Sequence, residues 1–538
     1  MTADLVLANA HVHDGTGWSR DADSIAIRDG RIVTIGSELP AGAEVVDLDG
    51  AWVLPGFHDA HVHPVQAGLE MNACDLTGGG DVDGCLDRIA AYAAAHPDAE
   101  WVLGGGWSMD AFPGGVPTAE ALDRVLPDRP AFLPNRDHHS AWVNSAALRR
   151  ARIDRTTPDP SDGRIERDAD GEPTGALHEG AMELVRALVP PATPGEQTRA
   201  LLTAQAYLHS LGIVGWQDAL VGEGLGMADS LETYLAAARD GLLTAKVVAA
   251  LWWDRGRGAD QIPGLIERRA RAAAAGIDAG SVKIMQDGVC ETFTAAVIDP
   301  YLDGHGRPTE NCGLSFIEPA DLAAYVQQLD AADFQVHVHA LGDRAVRDSL
   351  DAIEHAIAVN ERRGNRHHLA HVQIVHPDDV PRFAALDVTA NAQPLWACLD
   401  DQMVDLTLPF LTASAREQQY VFRSLLTSGA RLAFGSDWPV SSPDPFGAMH
   451  VAVNRTAPTS RLGPLLAHEG LTVAEALDAY TSGSAWVNRL ERTSGRLAVG
   501  AAADFAVVDR DVLGVPPDRI ADVRVLRTYV DGRLVHGG

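Results

Sequence analysis

The segment Val53-Leu54-Pro55-Gly56-Phe57-His58-Asp59-Ala60-His61-Val62-His63 sets two histidines one residue apart at the end of an apolar, β-prone run. Side chains alternate faces along a strand, so His61 and His63 point the same way. Two neutral imidazoles converging from one strand end can grip a metal ion, and imidazole suits zinc. Other short apolar runs end in residues of compatible chemistry. They are Lys283 in Ser281-Val282-Lys283-Ile284-Met285, His339 in Val336-His337-Val338-His339, His371 in His368-Leu369-Ala370-His371 and Asp437 in Gly435-Ser436-Asp437-Trp438-Pro439. Each has an ordinary structural account when taken alone: a lysine pairs with an acid, a histidine is satisfied in a core, an aspartate caps a turn. Their joint appearance at successive strand ends is what that account explains poorly. Spacing alone is weak, because His11-Val12-His13 repeats it and runs straight into the turn Asp14-Gly15-Thr16-Gly17. We read that earlier pair as structural.

Lysine usage sharpens the reading. Only two lysines occur, Lys246 and Lys283, and every other basic residue is arginine. A buried lysine amine can lose its proton, whereas a guanidinium effectively cannot. A lysine retained in an arginine-rich chain therefore marks a position where an amine is useful.

Residues so far apart in the chain need a scaffold that gathers strand ends. From Gly212 onward a β-then-α rhythm supplies one. Strands are expected at Gly212–Trp216, Lys246–Trp252, Ser281–Met285, Phe334–His339, His368–Val372, Asp387–Ala390 and Arg431–Phe434. Helical stretches such as Leu231–Arg239, Ile266–Ala275 and Leu322–Ala332 separate most of them. With a strand over Val53–His58 the count reaches eight, which points to a TIM-type (β/α)8 barrel with its reactive residues at the C-terminal strand ends. Short strands and tight turns at both ends of the chain, with Asp29-Gly30 and Asp531-Gly532 as hairpin signals, suggest a small β-sandwich domain of residues 1–52 and 490–538. The barrel then spans 53–489, and the Gly-, Pro- and Asp-rich stretch 64–211 reads as a cap inserted after the first barrel strand. The run Gly104-Gly105-Gly106 within it lacks the spacing and the Gly-Lys-Ser/Thr ending of a phosphate loop.

Composition narrows the function. The chain has 538 residues with 43 basic and 74 acidic side chains, a net charge of -31. That balance argues against nucleic acid or an anionic membrane as partner and leaves a small-molecule substrate. No apolar run is long enough to span a bilayer, and five scattered cysteines without a Cys-x-x-Cys pair fit a reduced, cytoplasmic protein. A homodimer is an open expectation.

The quoted motifs, with His339-Ala340-Leu341-Gly342-Asp343, Val375-His376-Pro377 and the closing Gly495-Arg496-Leu497-Ala498-Val499-Gly500, resemble the metal-dependent amidohydrolase superfamily. More narrowly they resemble amidohydrolase family 3, the branch that includes N-substituted formamide deformylase. The resemblance implies hydrolysis of a non-peptide carbon–nitrogen bond in an amide, N-substituted formamide or cyclic amide. It implies one metal on His61, His63 and Asp437, and another on His339 and His371. N6-carboxylated Lys283 would bridge the two. Zinc is the default ion, with manganese or iron as alternatives. Asp437 would serve as general base and then general acid in attack by metal-activated hydroxide. In the cap, His139 and Glu179 are expected at the substrate, with His139 near the developing oxyanion. Trp107, Asn391 and Trp438 are candidates to shape the pocket. Trp252-Trp253 reads as barrel packing, and Gln286 departs from the family pattern without an assigned role. Two other readings stay open: a lactonase or deacetylase on the same metals, and a regulatory homologue without catalysis.

Overall fold

Eight parallel strands follow one another around the central sheet in chain order. They are β1 (Phe57–Val62), β2 (Ile213–Val221), β3 (Lys246–Trp252), β4 (Asp278–Met285), β5 (Gln335–Ala340), β6 (His368–His371), β7 (Thr389–Ala392) and β8 (Arg431–Phe434). The computed structural model describes residues 3–19, 22–37, 42–225 and 227–537. Ladder bonds run from β1 through to β8. The loop after β8 then meets β1: Asp437 N–H donates to the His61 carbonyl at 2.7 Å, and His63 N–H to the Trp438 carbonyl at 2.9 Å. Gly435 permits that approach, since a Cβ there would lie 2.6 Å from the His61 nitrogen. Every residue of β1 and of β2 is buried, as expected where side chains fill the barrel on one face and helices cover the other. The architecture is the TIM-type barrel that the β/α rhythm predicts.

The expected strands are recovered with shifts that have local causes. Asp387 lies outside β7 because it closes the helix Val380–Leu386 in a left-handed conformation, φ 57°. The larger correction concerns Val53–His58. Val53, Leu54 and Pro55 end a long strand, Glu44–Pro55, that pairs with Phe505–Val508 in the terminal sheet. The barrel strand begins only at Phe57. Gly56 is the joint, and a Cβ on it would sit 2.4 Å from Val214.

The terminal sheet has seven strands and draws on both chain ends, with Phe505–Val508, Glu44–Pro55 and Leu5–Val12 at its centre. Its two tight turns are those signalled by Asp-Gly: Asp29 and Gly30 have φ 51° and 72°, Asp531 and Gly532 φ 47° and 71°. The sheet curls so that these turns meet, Gly30 lying against the Asp531 carbonyl. His11 stacks on Trp52 with ring centroids 4.1 Å apart, so the His11-Val12-His13 pair packs within this sheet.

Between β1 and β2 lies the cap, whose six-stranded sheet runs from Gly163–Arg167 at one edge to Cys74–Asp75 at the other. The chain enters it through α1 (Pro64–Met71) and returns through α2 (Pro194–Ser210). Thr193 and Glu196 form a reciprocal cap at the start of α2, with Pro194 in its first turn. The two helices touch at Gly68, where a Cβ would fall 2.0 Å from the Ala200 carbonyl oxygen. Among the described residues no helix is long and apolar enough to cross a membrane.

Candidate metal centre

The residues singled out in the sequence converge at the C-terminal mouth of the barrel. His61 and His63 stand on and just after β1, and Asp437 follows β8 across the closing seam. Asp437 Oδ1 lies 3.1 Å from His61 Nε2 and 2.9 Å from His63 Nε2. All the ligand atoms of this trio fall within 4.8 Å of one another, which makes it a ready cation site. Asp437 reaches inward because its backbone turns left-handed, φ 55°. His371, closing β6, does the same at φ 75°. A non-glycine residue held there costs of order 1–3 kcal/mol, and such strain gathers at functional sites.

His371 extends the cluster. Its ring lies 4.8 Å from that of His61 and 4.5 Å from that of His339, centroid to centroid. Its Nδ1 is 3.9 Å from Asp437 Oδ2. Lys283 projects into the barrel from β4, in register with His337 of β5. It is almost wholly buried, and its Nζ approaches Met285 Sδ at 3.9 Å.

Burial sets the charges. It pushes His61 down to about 3 and holds His339 and His371 well below the usual imidazole range. These rings are therefore neutral at pH 7, with lone pairs available to a cation. Burial also lowers Lys283 to about 8, against the pull of the Asp437 carboxylate. Burial works against ionisation of Asp437, but the imidazoles of His61, His63 and His371 hold its carboxyl well below the ordinary value. Both ring nitrogens of His371 are buried with no hydrogen-bond partner among the described residues, an arrangement that costs free energy unless a ligand is present. Nitrogen and carboxylate donors in this arrangement fit a first-row divalent ion.

Partners behind the ligands went unnoticed in the sequence. Asp287 accepts from His339 Nδ1 at 3.1 Å, which turns the other ring nitrogen toward the mouth. Asp287 is itself pinned by the N–H groups of Ala296, Leu341 and Gly342, and burial raises it to about 7. Asp59 accepts from the N–H groups of His61 and Ser436 and so ties β1 to the loop after β8. His337 shares the strand face of His339, and period-two alternation alone would have found it.

The cap closes over this mouth. His139 lies 5.7 Å from His339, ring to ring, and its Nδ1 donates to Glu179 Oε1 at 2.9 Å. Thr294, in the loop after β4, donates to the same Glu179 oxygen at 2.8 Å. Burial would lower His139, but the Glu179 carboxylate more than offsets it and raises the ring to about 9. His139 is thus a cation at pH 7, unlike His61, His339 and His371.

Two of the three expected pocket residues are enclosed in cores. Trp107 is enclosed in the core of the cap, edge-on to Phe112, with its indole N–H donated to the Leu133 carbonyl. Asn391 is sealed in the barrel interior, where it donates to the Ala60 carbonyl at 2.8 Å. Trp438, next to Asp437, packs on Tyr207 of α2 with 5.2 Å between rings. The aromatic wall comes instead from Trp396, which stacks parallel to His371 at 5.4 Å. Trp396 lines a cavity of about 230 Å³ with Leu341, Tyr420 and Met403, while Asp137, Glu291 and Asp400 supply its polar edge. Trp253 packs on Tyr325, as expected of barrel packing.

Known proteins share this architecture. A family model described as the amidohydrolase family matches residues 44–536. The protein LONG AFTER FAR-RED 3 of Arabidopsis thaliana is 30% identical over 550 residues, covering 100% of this chain and 92% of that one. N-substituted formamide deformylase of Arthrobacter pascens is 28% identical over 556 residues, covering 99% and 98%. The crystal structure of an uncharacterized metal-dependent hydrolase from Pyrococcus furiosus matches with a TM-score of 0.70 at 26% identity, over 95% of this chain and 99% of that one. With its barrel, its His61–His63–Asp437 trio and a family match that runs nearly end to end, the chain belongs to the amidohydrolase family and is a metal-dependent hydrolase.

Proposed function

We propose that this hydrolase cleaves a non-peptide carbon–nitrogen bond, in an amide, N-substituted formamide or cyclic amide whose apolar substituent occupies the cavity beside Trp396. The observation that carries the reading is the His61–His63–Asp437 trio at the barrel mouth, with a cationic His139 facing it from the cap. His61, His63 and Asp437 would hold one ion. His339, His371 and N6-carboxylated Lys283 would hold a second, with zinc the first choice. A bound ion supplies a water that ionises near neutral pH and positive charge against a developing oxyanion.

The chain's own groups do the rest. Asp437, ionised and beside the ligand histidines, takes the proton of the attacking water and returns it to the leaving nitrogen. His139, fixed through Nδ1 by Glu179, keeps Nε2–H free to donate to the carbonyl oxygen as charge develops there. The Trp396, Leu341 and Tyr420 wall excludes water and receives the organic substituent. Burial lowers the Lys283 amine to about 8, so a fraction of it is neutral at physiological pH, and only the neutral amine can add carbon dioxide.

A matched panel of amides, formamides, lactones and acetyl esters, assayed on protein stripped of metal and reloaded with zinc, tests the reading. Carbon–nitrogen cleavage should appear only on reloading. Turnover confined to esters would move the assignment to the lactonase or deacetylase reading. Silence across the panel, with metal bound, would favour a regulatory homologue.

A further inference from the structure

Behind His61 runs a chain of hydrogen bonds that ends at the closed end of the barrel. His61 Nδ1 and His337 Nε2 are 2.8 Å apart. His337 Nδ1 lies 2.7 Å from Gln217 Oε1. Gln217 Nε2 faces Gln335 Oε1 and Asn488 Oδ1, each at 3.3 Å. Gln335 Nε2 donates to the main-chain carbonyls of Arg366 at 2.8 Å and Val487 at 3.0 Å. All of these side chains are fully buried.

The far end fixes the direction of every link. A main-chain carbonyl only accepts, so the Gln335 nitrogen must face Arg366 and Val487, and its oxygen must face Gln217. Gln217 therefore donates to Gln335 and turns its own oxygen to His337. An amide oxygen only accepts, so His337 must carry its proton on Nδ1. A neutral imidazole has one proton, which leaves His337 Nε2 as an acceptor. His61 must then carry its proton on Nδ1, and its Nε2 is a bare lone pair. That lone pair faces Asp437 Oδ1 at 3.1 Å. Reversing the sense would set the oxygens of Gln217 and Gln335 against each other.

We infer that Gln335, Gln217 and His337 are positioning residues that hold His61 in its metal-ligating tautomer before any ion arrives. The inference rests on the metal-hydrolase reading of the site. Without this relay His61 has a competing choice: it can protonate Nε2 and donate to Asp437, an arrangement that closes the site to a cation. With it, two electron-rich atoms face each other, and a cation relieves the contact. The backing is unusual in kind, because a neutral imidazole and two amides replace the carboxylate that serves His339.

Nitrogen NMR of the metal-free protein with 15N-histidine, the His61 signals identified by their loss in His61→Ala, reads the tautomer directly. Protonated Nδ1 and bare Nε2 on His61 are expected. Proton on Nε2 overturns the proposal. Chelator competition then measures zinc affinity in two variants. Gln217→Glu keeps an acceptor on His337 Nδ1 and should keep the His61 tautomer, at a cost in stability because its second oxygen then faces Gln335 Oε1 and Asn488 Oδ1. Gln217→Leu removes the acceptor, should give mixed His61 tautomers, and should weaken zinc by about 10- to 100-fold, the usual effect of losing a partner behind a ligand. An unchanged tautomer with unchanged affinity in Gln217→Leu overturns the inference. If the parent binds no zinc yet shows the expected tautomer, the relay stands and the metal-hydrolase reading fails.

Discussion

His139 differs from His61, His339 and His371 in keeping its proton: the Glu179 carboxylate lifts it to about 9, while burial drives His61 to about 3. The sign of the pH response follows. The folded-state value is raised, so the charged form is complete below about pH 9 and is lost as pH rises through it. Activity should therefore have an alkaline limb near pH 9 that disappears in His139→Gln, whose kcat should fall about a hundredfold with metal content unchanged. A pH–rate profile with metal analysis checks this, and retention of the limb in the variant assigns it to another group. Lys283 makes a different prediction. Lys283→Arg keeps a positive charge but cannot form a carbamate. It should drop bound zinc from two equivalents to one and lower turnover at least about a hundredfold, read by elemental analysis and steady-state assay. Two equivalents in the variant would remove Lys283 from the bridging role.

At the level of elements, one contact between the cap and the barrel bears directly on His139. Glu179, on the cap strand Pro173–Glu179, joins Thr294 of the loop after β4, and Gly288 leaves room for both. A Cβ on Gly288 would lie 2.1 Å from Thr294 Oγ1 and 2.5 Å from Glu179 Oε1. Gly288→Ala should displace Glu179 and with it His139, while the ligands on β1, β5, β6 and after β8 stay in place. We expect kcat to fall about tenfold or more, at unchanged zinc content, with a weakened alkaline limb. Full activity would show that His139 acts without its Glu179 anchor. The same elements show what the text of the chain could reveal. Strand ends were legible because apolar runs stop where reactive residues begin, as at His339 and His371. Side-chain direction was legible only under alternation, which gives His337 along with His339. Gln217 was out of reach, since β2 is buried on both faces and carries no periodic signal. Trp107 and Asn391 misled for a related reason: an aromatic or amide near a motif says nothing about which of two cores receives it.

For the whole molecule, the question is whether the terminal sheet folds as a separate unit or as the base of the barrel. A polar network across the junction argues for the second. Lys246, at the start of β3, lies 2.8 Å from Asp531 and 3.3 Å from Asp504, both in or beside the terminal sheet. Asp504 also accepts from the Ser494 hydroxyl at 2.7 Å, and Ser494 in turn accepts from His58 Nε2 on β1, also at 2.7 Å. Because the Ser494 proton goes to Asp504, His58 must be the donor in that last bond. The lysine outside the candidate metal centre thus has a structural use, and β1 carries a tie to the sheet at His58 and the candidate ligand His61 on the same strand. Asp504→Asn replaces one acceptor with a donor, so either the Asp531 N–H on Oδ1, or Lys246 and Ser494 together on Oδ2, lose their acceptor. That should cost about 1–3 kcal/mol. Scanning calorimetry of the metal-free protein should show a single transition, displaced downward by a few degrees, because Gly56 alone separates the sheet strand from β1 and neither part can loosen without the other. Two resolved transitions, with only the lower one moved by the substitution, would mean that the sheet melts independently and that its contacts with His58 and Lys246 are incidental to the barrel.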